Sequence, residues 1–307
     1  MIDIIPRNPV DVLKPKLGIA RPAWLPPMLS ALVMLFLATG PAFPGDTPRV
    51  VLLGGSLTEI AYALHREDHI VGVDTTSVFP PEALKSKASV GYVRAVSAEG
   101  VLSLKPSLVI AIQGAGPADA LKLIEATGTA LRTVPDEASP AGVGAKIEAV
   151  GDALDARNAA DALKAEVSAR FAALALQRPK VAKPLRVLIV LSLQNGRSTV
   201  GGRGTAADGI IKLSGSLNAA DAVEGYKTMT DESIIAAAPD VVLVMQNGGH
   251  ALDAATVFAL PAYSTTPAGL TRRLVAMDGL LLLGFGPRTP EAAGDLMRTL
   301  YPEAATP

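Results

Sequence analysis

An ungapped internal repeat is the feature that most constrains how this chain can fold. Residues 97–114 (SAEGVLSLKPSLVIAIQG) align with residues 230–247 (TDESIIAAAPDVVLVMQN) at a constant offset of 133. A second segment, 49–57, aligns with residues 186–194 at a similar offset. Because a repeated segment indicates one structural unit used twice, the sequence predicts two related lobes.

Each lobe is predicted to have an α/β architecture, because short apolar runs alternate with helical segments. In the first lobe the strand RVVLLGG (49–55) precedes a helix for which Ser56 or Thr58 is a candidate N-cap. Strands that alternate with helices indicate a parallel sheet covered on both faces. We expect the two lobes to occupy residues 48–138 and 184–304.

The segment between the lobes, residues 139–179, carries no strand pattern. Apolar residues lie at mostly helical spacing from Ala141 to Gln177, and the proline-rich sequence RPKVAKP follows. This pattern predicts one long α-helix that joins the lobes, well above the average helix length of ~11–12 residues. In open parallel sheets ligands bind beyond the carboxyl ends of the strands, so we expect a ligand cleft between the two lobes.

The first 45 residues are interpreted as a targeting segment rather than as part of the fold. Basic residues precede an apolar run from Met28 to Ala38, and Gly40 and Ala42 stand at the −3 and −1 positions of a signal-peptide cleavage site. The run is shorter than the ~20 apolar residues of a membrane-spanning helix. The sequence therefore predicts a cleaved signal peptide within residues 1–45 and export to the periplasm.

The composition and the motifs exclude several classes of function. The chain contains no cysteine, which rules out thiolate metal sites, catalytic thiols and disulfides, and its net charge of −1 gives no basis for nucleic-acid binding. The sequence GGSLTE around Ser56 lacks the second glycine of a G-x-S-x-G nucleophile elbow, and neither a Walker nor a G-x-G-x-x-G motif occurs. We therefore predict that the protein is not an enzyme.

Several segments resemble the sequences of a known family. They are VGYVRAVSAEGVLSLKPSLVIA (90–111), GRGTAADGII (202–211), TPAG with RRLVAMDG (266–279), and LLLLGFGPRTPEA (280–292). Over about residues 48–304 the chain resembles the substrate-binding proteins of bacterial ABC importers for vitamin B12, siderophores and heme, and these segments look most like the periplasmic heme-binding proteins. The resemblance implies that heme is a transported ligand rather than a catalytic cofactor.

The resemblance also implies roles for individual residues and partners. In that family the tyrosine of the G-Y-x-R segment binds heme iron axially, which corresponds to Tyr92 with Arg94 as its neighbour. The implied partners are an inner-membrane ABC permease with its ATPase, and an outer-membrane heme receptor system is a further candidate. Glu99 and Glu232, at equivalent repeat positions, are expected to dock to the permease; each also begins a short helix, where a carboxylate contributes ~0.3–1 kcal/mol. The alternative ligand within this family is a ferric siderophore or a corrinoid.

The chemistry of tyrosine supports an iron site at Tyr92. Tyrosine is an established ligand of heme iron, and Fe(III) favours the anionic phenolate over the phenol, whose free pKa is ~10. Arg94 is either a source of nearby positive charge or a partner for a heme propionate. Further candidate ligand-binding residues lie in the expected cleft loops of both lobes: Gly55, Ser56, Gln113, Arg197, Arg203, Gln246 and His250.

Overall fold

Each lobe is built around one main β-sheet. The structure, a computed structural model, describes residues 48–246 and 252–303. The strands, in chain order, are β1 (Val50–Leu53), β2 (Ile70–Val73), β3 (Ala88–Ser89), β4 (Gly91–Tyr92), β5 (Ala95–Val96), β6 (Leu108–Ile112), β7 (Ala130–Val134), β8 (Arg186–Gln194), β9 (Arg197–Gly201), β10 (Leu217–Asn218), β11 (Tyr226–Met229), β12 (Val241–Gln246) and β13 (Leu274–Asp278).

Helices connect and cover these strands, in agreement with the predicted alternation. They are, in chain order, α1 (Gly55–Ala63), α2 (Glu82–Ser86), α3 (Ala98–Ser103), α4 (Ala118–Ala126), α5 (Pro140–Ala153), α6 (Arg157–Gln177), α7 (Ala206–Leu213), α8 (Asp231–Ala237), α9 (Ala254–Phe258), α10 (Pro261–Ser264), α11 (Pro267–Leu270), α12 (Gly279–Leu283) and α13 (Thr289–Leu300). Within residues 48–246 and 252–303, none of the helices combines the length and apolar character needed to cross a bilayer.

The sheet of the N-terminal lobe is parallel throughout. Its strand order is β3-β2-β1-β6-β7. In the central strand β1, Val50 and Leu52 belong to one apolar core, whereas Val51 and Leu53 belong to the core on the opposite face. Successive side chains of a strand point to opposite faces, so this division confirms the prediction of a parallel sheet covered on both sides.

The C-terminal lobe repeats this parallel arrangement in β8, β12 and β13 and adds antiparallel strands at one edge. The order is β11-β9-β8-β12-β13, with β10 also paired to β8. Val50 pairs with Leu108 in the first lobe, and at the equivalent repeat positions Val187 pairs with Val241. The shared register confirms that the sequence repeat is a structural repeat.

The antiparallel edge of the second sheet arises from a tight turn between β8 and β9. Asn195 and Gly196 both adopt positive φ values, 52° and 74°, and Gln194 pairs with Arg197 across the turn. Asn-Gly is the dipeptide that favours such two-residue hairpins. The segment 194–197, expected from the sequence to be a cleft loop, is therefore a β-hairpin.

The connection between the lobes is helical, as predicted, but it consists of two helices rather than one. Asp155 adopts a left-handed conformation with φ of 50°, and α6 folds back along α5. The two helices approach closely, since a Cβ added to Gly151 would lie 2.3 Å from the Cβ of Ala160. Three non-helical residues are enough to reverse the chain, and the apolar spacing on either side of them continues almost unchanged.

One apolar core extends through both lobes and the connecting helices. It includes Val50 of β1, Ile147 of α5, Val187 of β8 and Leu296 of α13, all of which are fully buried. The sheets are therefore attached to each other through a continuous packed layer rather than through a flexible linker.

Candidate ligand-binding cleft

A cleft of about 860 Å³ lies between the carboxyl-terminal ends of the strands of the two lobes. This volume falls within the ~300–1,000 Å³ typical of small-molecule sites. Apolar side chains from both lobes contribute to its lining, among them Val78, Ile112, Leu191, Leu280 and Leu283. The position of the cleft agrees with the expectation that strand-end loops of both lobes line one site.

A buried carboxylate shapes the N-terminal wall of the cleft. Asp74, at the end of β2, accepts hydrogen bonds from the backbone N–H of Gly54 at 2.7 Å and of Thr76 at 2.8 Å. The hydroxyls of Thr76 and Ser77 donate to the same carboxylate at 2.6 and 3.3 Å. Asp74 is fully buried and therefore joins the turn after β1 to the loop after β2.

The turn after β1 requires glycine where it meets the second loop. A Cβ at Gly55 would lie 2.3 Å from the carbonyl oxygen of Thr76 and 2.7 Å from Leu280 Cδ1. The backbone N–H of Gly55 also donates to the Thr76 hydroxyl at 3.0 Å. Gly55 and Ser56 thus line the cleft as expected.

Tyr92 lies on the cleft wall in the short hairpin formed by β4 and β5. Gly91 precedes it with φ of 95°, a conformation that disfavours side chains, and Val93 packs into the core of the lobe. Tyr92 is 50% exposed, and both Tyr92 and Arg94 line the cleft. The phenol therefore projects from an anchored hairpin into the space between the lobes.

A second tyrosine, Tyr226, lines the cleft from the C-terminal lobe. Burial raises the pKa of its hydroxyl, and the nearby backbone N–H groups of Ala206 and Ala207 at the start of α7 act in the opposite direction. The charge of Arg94 likewise opposes the rise of this pKa, and Arg94 and Tyr226 line the same cleft from different lobes. The Tyr226 ring lies beside Gly201 near the start of α7, since a Cβ added to Gly201 would lie 3.4 Å from Tyr226 Cε1 and 2.2 Å from the Cβ of Ala207.

The floor of the cleft contains an ion pair made with a connecting helix. Lys146 Nζ, in a fully buried side chain of α5, donates to Asp136 Oδ1 at 2.5 Å and to the carbonyl oxygens of Gly284 and Phe285 at 3.3 Å. Asp136 lines the cleft and belongs to the N-terminal lobe, whereas Gly284 belongs to the C-terminal lobe. Lys146 therefore joins both lobes beneath the site.

The structure brings together some of the candidate residues and not others. Gln113 and Gln246 line the cleft with Gly55, Ser56, Tyr92 and Arg94. Arg197 and Arg203 are not among the described residues that line it: Arg197 is exposed in the β8–β9 hairpin, and Arg203 is exposed beside the cleft-lining Gly204. His250 and the signal segment 1–45 lie outside the described residues.

Glu99 and Glu232 occupy equivalent, exposed positions on the two lobes. Each lies in the first turn of a short helix, α3 or α8, whose N-cap is Ser97 in one lobe and Thr230 in the other. Hydrogen bonds from its own backbone N–H and from the Thr230 hydroxyl hold the pKa of Glu232 below its ordinary value. These carboxylates can therefore interact with the start of their own helix and still be exposed at the protein surface.

Sequence reasoning missed Asp74 and Lys146 as parts of the cleft wall or its support, and it gave Tyr226, one position off the repeat partner of Tyr92, a lower rank than Tyr92. The signal for Asp74 was the sequence VDTTS, in which an acidic residue directly follows a strand and precedes several hydroxyl side chains. Tyr226 follows Gly225, which has φ of 75°, just as Tyr92 follows Gly91. Lys146 was not identified, because two of its partners, Gly284 and Phe285, lie in a loop distant in the sequence.

Comparison with known proteins identifies the family. Residues 50–280 match the family described as periplasmic binding protein. The chain belongs to this family. It is also 30% identical over 262 residues to an uncharacterized ABC transporter substrate-binding lipoprotein, YvrC, of Bacillus subtilis (strain 168), a match covering 84% of this chain and 81% of YvrC.

Solved structures of periplasmic binding proteins share the two-lobe fold. The periplasmic heme-binding protein RhuT of Roseiflexus sp. RS-1, in its apo form, superposes with a TM-score of 0.79 and 38% identity, covering 84% of this chain and 100% of RhuT. The periplasmic heme-binding protein BhuT, in complex with two hemes, gives a TM-score of 0.76 and 41% identity over 84% of this chain and 99% of BhuT. The similarity confirms the predicted family of ABC-importer substrate-binding proteins, whose members are transport proteins.

Proposed function

We propose that this protein captures heme in the inter-lobe cleft through Tyr92 and delivers it to an ABC permease. The observation that carries the proposal is the half-exposed Tyr92 phenol, which stands on the wall of an 860 Å³ cleft beside Arg94. A phenolate is a suitable axial ligand for ferric heme iron. The similarity to RhuT and BhuT, both heme-binding proteins, supports the same ligand.

The charges of the cleft favour heme over a highly anionic siderophore complex. Among the described residues that line it, Arg94 is the cation, while Asp136 and Asp278 are carboxylates. Asp136 is paired with Lys146, and Asp278 Oδ1 accepts a hydrogen bond from the backbone N–H of Leu281 at 2.8 Å. A ligand that carries several negative charges would need more cations than this lining offers, whereas an apolar macrocycle suits its leucine, isoleucine and valine side chains.

The test is an optical titration with hemin of the wild type, Tyr92→Phe and the matched control Tyr226→Phe. We expect a high-spin ferric tyrosinate spectrum in the wild type that disappears in Tyr92→Phe. Tyr226→Phe should keep it, because the Tyr226 ring lies against Gly201 near the start of α7 and is less exposed than Tyr92, 38% against 50%. Unchanged binding by Tyr92→Phe would refute the iron site, and a wild type that binds no hemin would favour a ferric siderophore or a corrinoid.

Delivery to the permease is proposed to depend on Glu99 and Glu232. Reversing both charges to lysine should abolish heme uptake by cells while hemin binding by the purified protein stays unchanged. Glu125→Lys, a reversal at an exposed position of α4, is the control and should leave uptake intact. Normal uptake by the double variant would contradict the docking role and leave helix capping as the function of these carboxylates.

Export is proposed to use residues 1–45 as a cleaved signal peptide. Mass spectrometry of the periplasmic protein should find a mature amino terminus close to Ala42. A protein that retains residues 1–45 in the cytoplasmic fraction would contradict this assignment.

A further inference from the structure

Arg288 links the C-terminal lobe to the N-terminal lobe at one side of the cleft. It is the N-cap residue of α13, a helix that packs against α6 and α7. Its backbone N–H donates to Glu59 Oε1 at 3.1 Å, and its Nη2 donates to Glu59 Oε2 at 2.9 Å. The guanidinium carbon also lies 3.4 Å from the centre of the Phe79 ring. Glu59 and Phe79 both belong to the N-terminal lobe.

These contacts give a structural role to the segment GFGPRTPEA (284–292), in which Arg288 directly precedes α13. The partner of Arg288 is the carboxylate of Glu59, whose side chain is only 6% exposed. Gly286 permits the approach, since a Cβ there would lie 3.3 Å from the carboxylate carbon of Glu59. The backbone N–H and the guanidinium Nη2 of Arg288 each donate to a different oxygen of the Glu59 carboxylate, and this two-point contact fixes the orientation as well as the distance between the lobes.

Glu59 and Phe79, the partners of Arg288 in the N-terminal lobe, belong to segments that also form the cleft wall. Glu59 lies in the first turns of α1, which begins at the cleft-lining residues Gly55 and Ser56. Phe79 directly follows the cleft-lining residue Val78. A hydrogen bond of 2.7 Å between the hydroxyls of Thr58 and Ser77 ties the helix to this loop. A displacement of Arg288 is therefore transmitted to the surface that a ligand would contact.

We propose that Arg288 is a positioning residue that sets the width of the cleft by clamping Glu59 and Phe79 to the start of α13. The clamp keeps the lobes near the angle seen here and slows the escape of a bound ligand. Its effect on ligand escape rests on the proposed heme-binding function, whereas its effect on the distance between the lobes does not. Arg288 itself is not among the described residues that line the cleft.

The test combines an inter-lobe distance with a ligand dissociation rate. Because the chain contains no cysteine, Lys122→Cys and Leu270→Cys introduce one spin label on each lobe at exposed positions. Distances are measured by pulsed electron paramagnetic resonance in the absence of ligand. Hemin dissociation is followed by transfer to excess apomyoglobin, and far-UV circular dichroism verifies that each variant is folded.

The variants separate positioning from simple loss of stability. Arg288→Met removes the guanidinium contacts with Glu59 and Phe79 and leaves the buried Glu59 carboxylate without its cation, held only by the backbone N–H of residue 288, which is costly. The double variant Glu59→Gln/Arg288→Met removes that unpaired charge and keeps the experiment informative if the single variant unfolds. Arg298→Met is the control, because Arg298 is an exposed arginine of the same helix that pairs with Asp295.

We expect both clamp variants to show a longer or broader distance distribution than the wild type and Arg298→Met. Hemin dissociation should accelerate about fivefold or more, the lower range of typical coupling between a remote contact and a binding site. The tyrosinate spectrum should persist, because Tyr92 is untouched. Folded clamp variants with unchanged distances would overturn the proposal, and changed distances with unchanged dissociation would overturn its link to ligand release. A wild type that fails to bind hemin would refute the proposed function, and the distances would still decide whether the clamp exists.

Discussion

The carboxylate of Asp74 holds together the two loops that form the N-terminal wall of the cleft, and its replacement gives a sharp test. Asp74→Asn preserves the size and shape of the side chain but turns one acceptor oxygen into an NH₂ donor. The remaining oxygen can still accept from the N–H of Gly54 and the hydroxyl of Ser77. The new NH₂ group then faces the backbone N–H of Thr76, which now donates at 2.8 Å to a carboxylate oxygen.

The expected loss of stability follows from this mismatch. A hydrogen bond to a charged group contributes about 1.5–3 kcal/mol, and a buried unsatisfied donor costs about 1–3 kcal/mol. The Thr76 hydroxyl can rotate to accept from the new NH₂ group, which recovers part of the loss. We therefore expect Asp74→Asn to lower the free energy of unfolding by about 3 kcal/mol, equivalent to a fall in Tm of roughly 6–12 °C for a chain of this size.

Urea unfolding followed by circular dichroism measures this loss, with Asp119→Asn as the control. Asp119 lies in α4 and is almost fully exposed, so its replacement should change stability by less than about 0.5 kcal/mol. Hemin affinity of Asp74→Asn should also fall, because the loops that carry Gly55 and Thr76 lose their common anchor. A loss of less than about 1 kcal/mol would refute the view that this carboxylate organises the wall.

Two further predictions concern packing and ionisation. Gly55→Ala should lower the free energy of unfolding by about 1–3 kcal/mol and weaken hemin binding, because the new Cβ would collide with the Thr76 carbonyl oxygen. The control Gly100→Ala in α3 should change stability very little, and thermal unfolding measures both variants. Burial raises the pKa of Tyr263, which donates a 2.6 Å hydrogen bond to Ser198, from its usual 10 to about 12. Because the folded state retains this proton longer than the unfolded state, stability should fall by about 2–3 kcal/mol as the pH rises from 10 to 12, and unfolding titrations of Tyr263→Phe should lack this component.

The repeat was the part of the fold that the sequence specified best. Strands that are buried on both faces have continuous apolar sequences, so VVLL in β1 and the corresponding apolar run in β8 could be predicted as strands from the local sequence alone. The chain reversal at Asp155 could not be predicted from the sequence, because a short turn between two helices barely changes the spacing of the apolar residues. The turn at Asn195 and Gly196 did have a local signal, because Asn-Gly is typical of two-residue hairpins.

Some residues of the site could likewise be predicted from the local sequence, whereas others depend on contacts between distant segments. The positions of Tyr92 and Arg94 on the cleft wall followed from a local segment and from the rule that ligands meet strand ends. The Glu59–Arg288 pair and the contacts of Lys146 with the carbonyl oxygens of Gly284 and Phe285 join residues far apart in the sequence, and no local pattern identifies such partners. A buried charge therefore becomes interpretable only when the element that packs against it is known.

The cleft walls and the proposed docking surface are parts of the same short segments. In the N-terminal lobe the hairpin that carries Tyr92 leads directly to Ser97, the N-cap of the helix that begins with Glu99. In the C-terminal lobe β11, which begins at Tyr226, leads to Thr230, the N-cap of α8. Because these connections are short and capped, each docking helix should move with its own cleft wall.

The angle between the lobes should consequently determine both the cleft width and the separation of Glu99 and Glu232. A permease that binds both glutamates and draws them apart would have to break the contact between Arg288 and Glu59 before the ligand could leave. Arg288→Met removes that step, so hemin release on addition of the permease in membrane vesicles should be faster than from the wild type. Equal release rates for the two proteins, with docking intact, would show that the permease extracts heme without opening the lobes at this clamp.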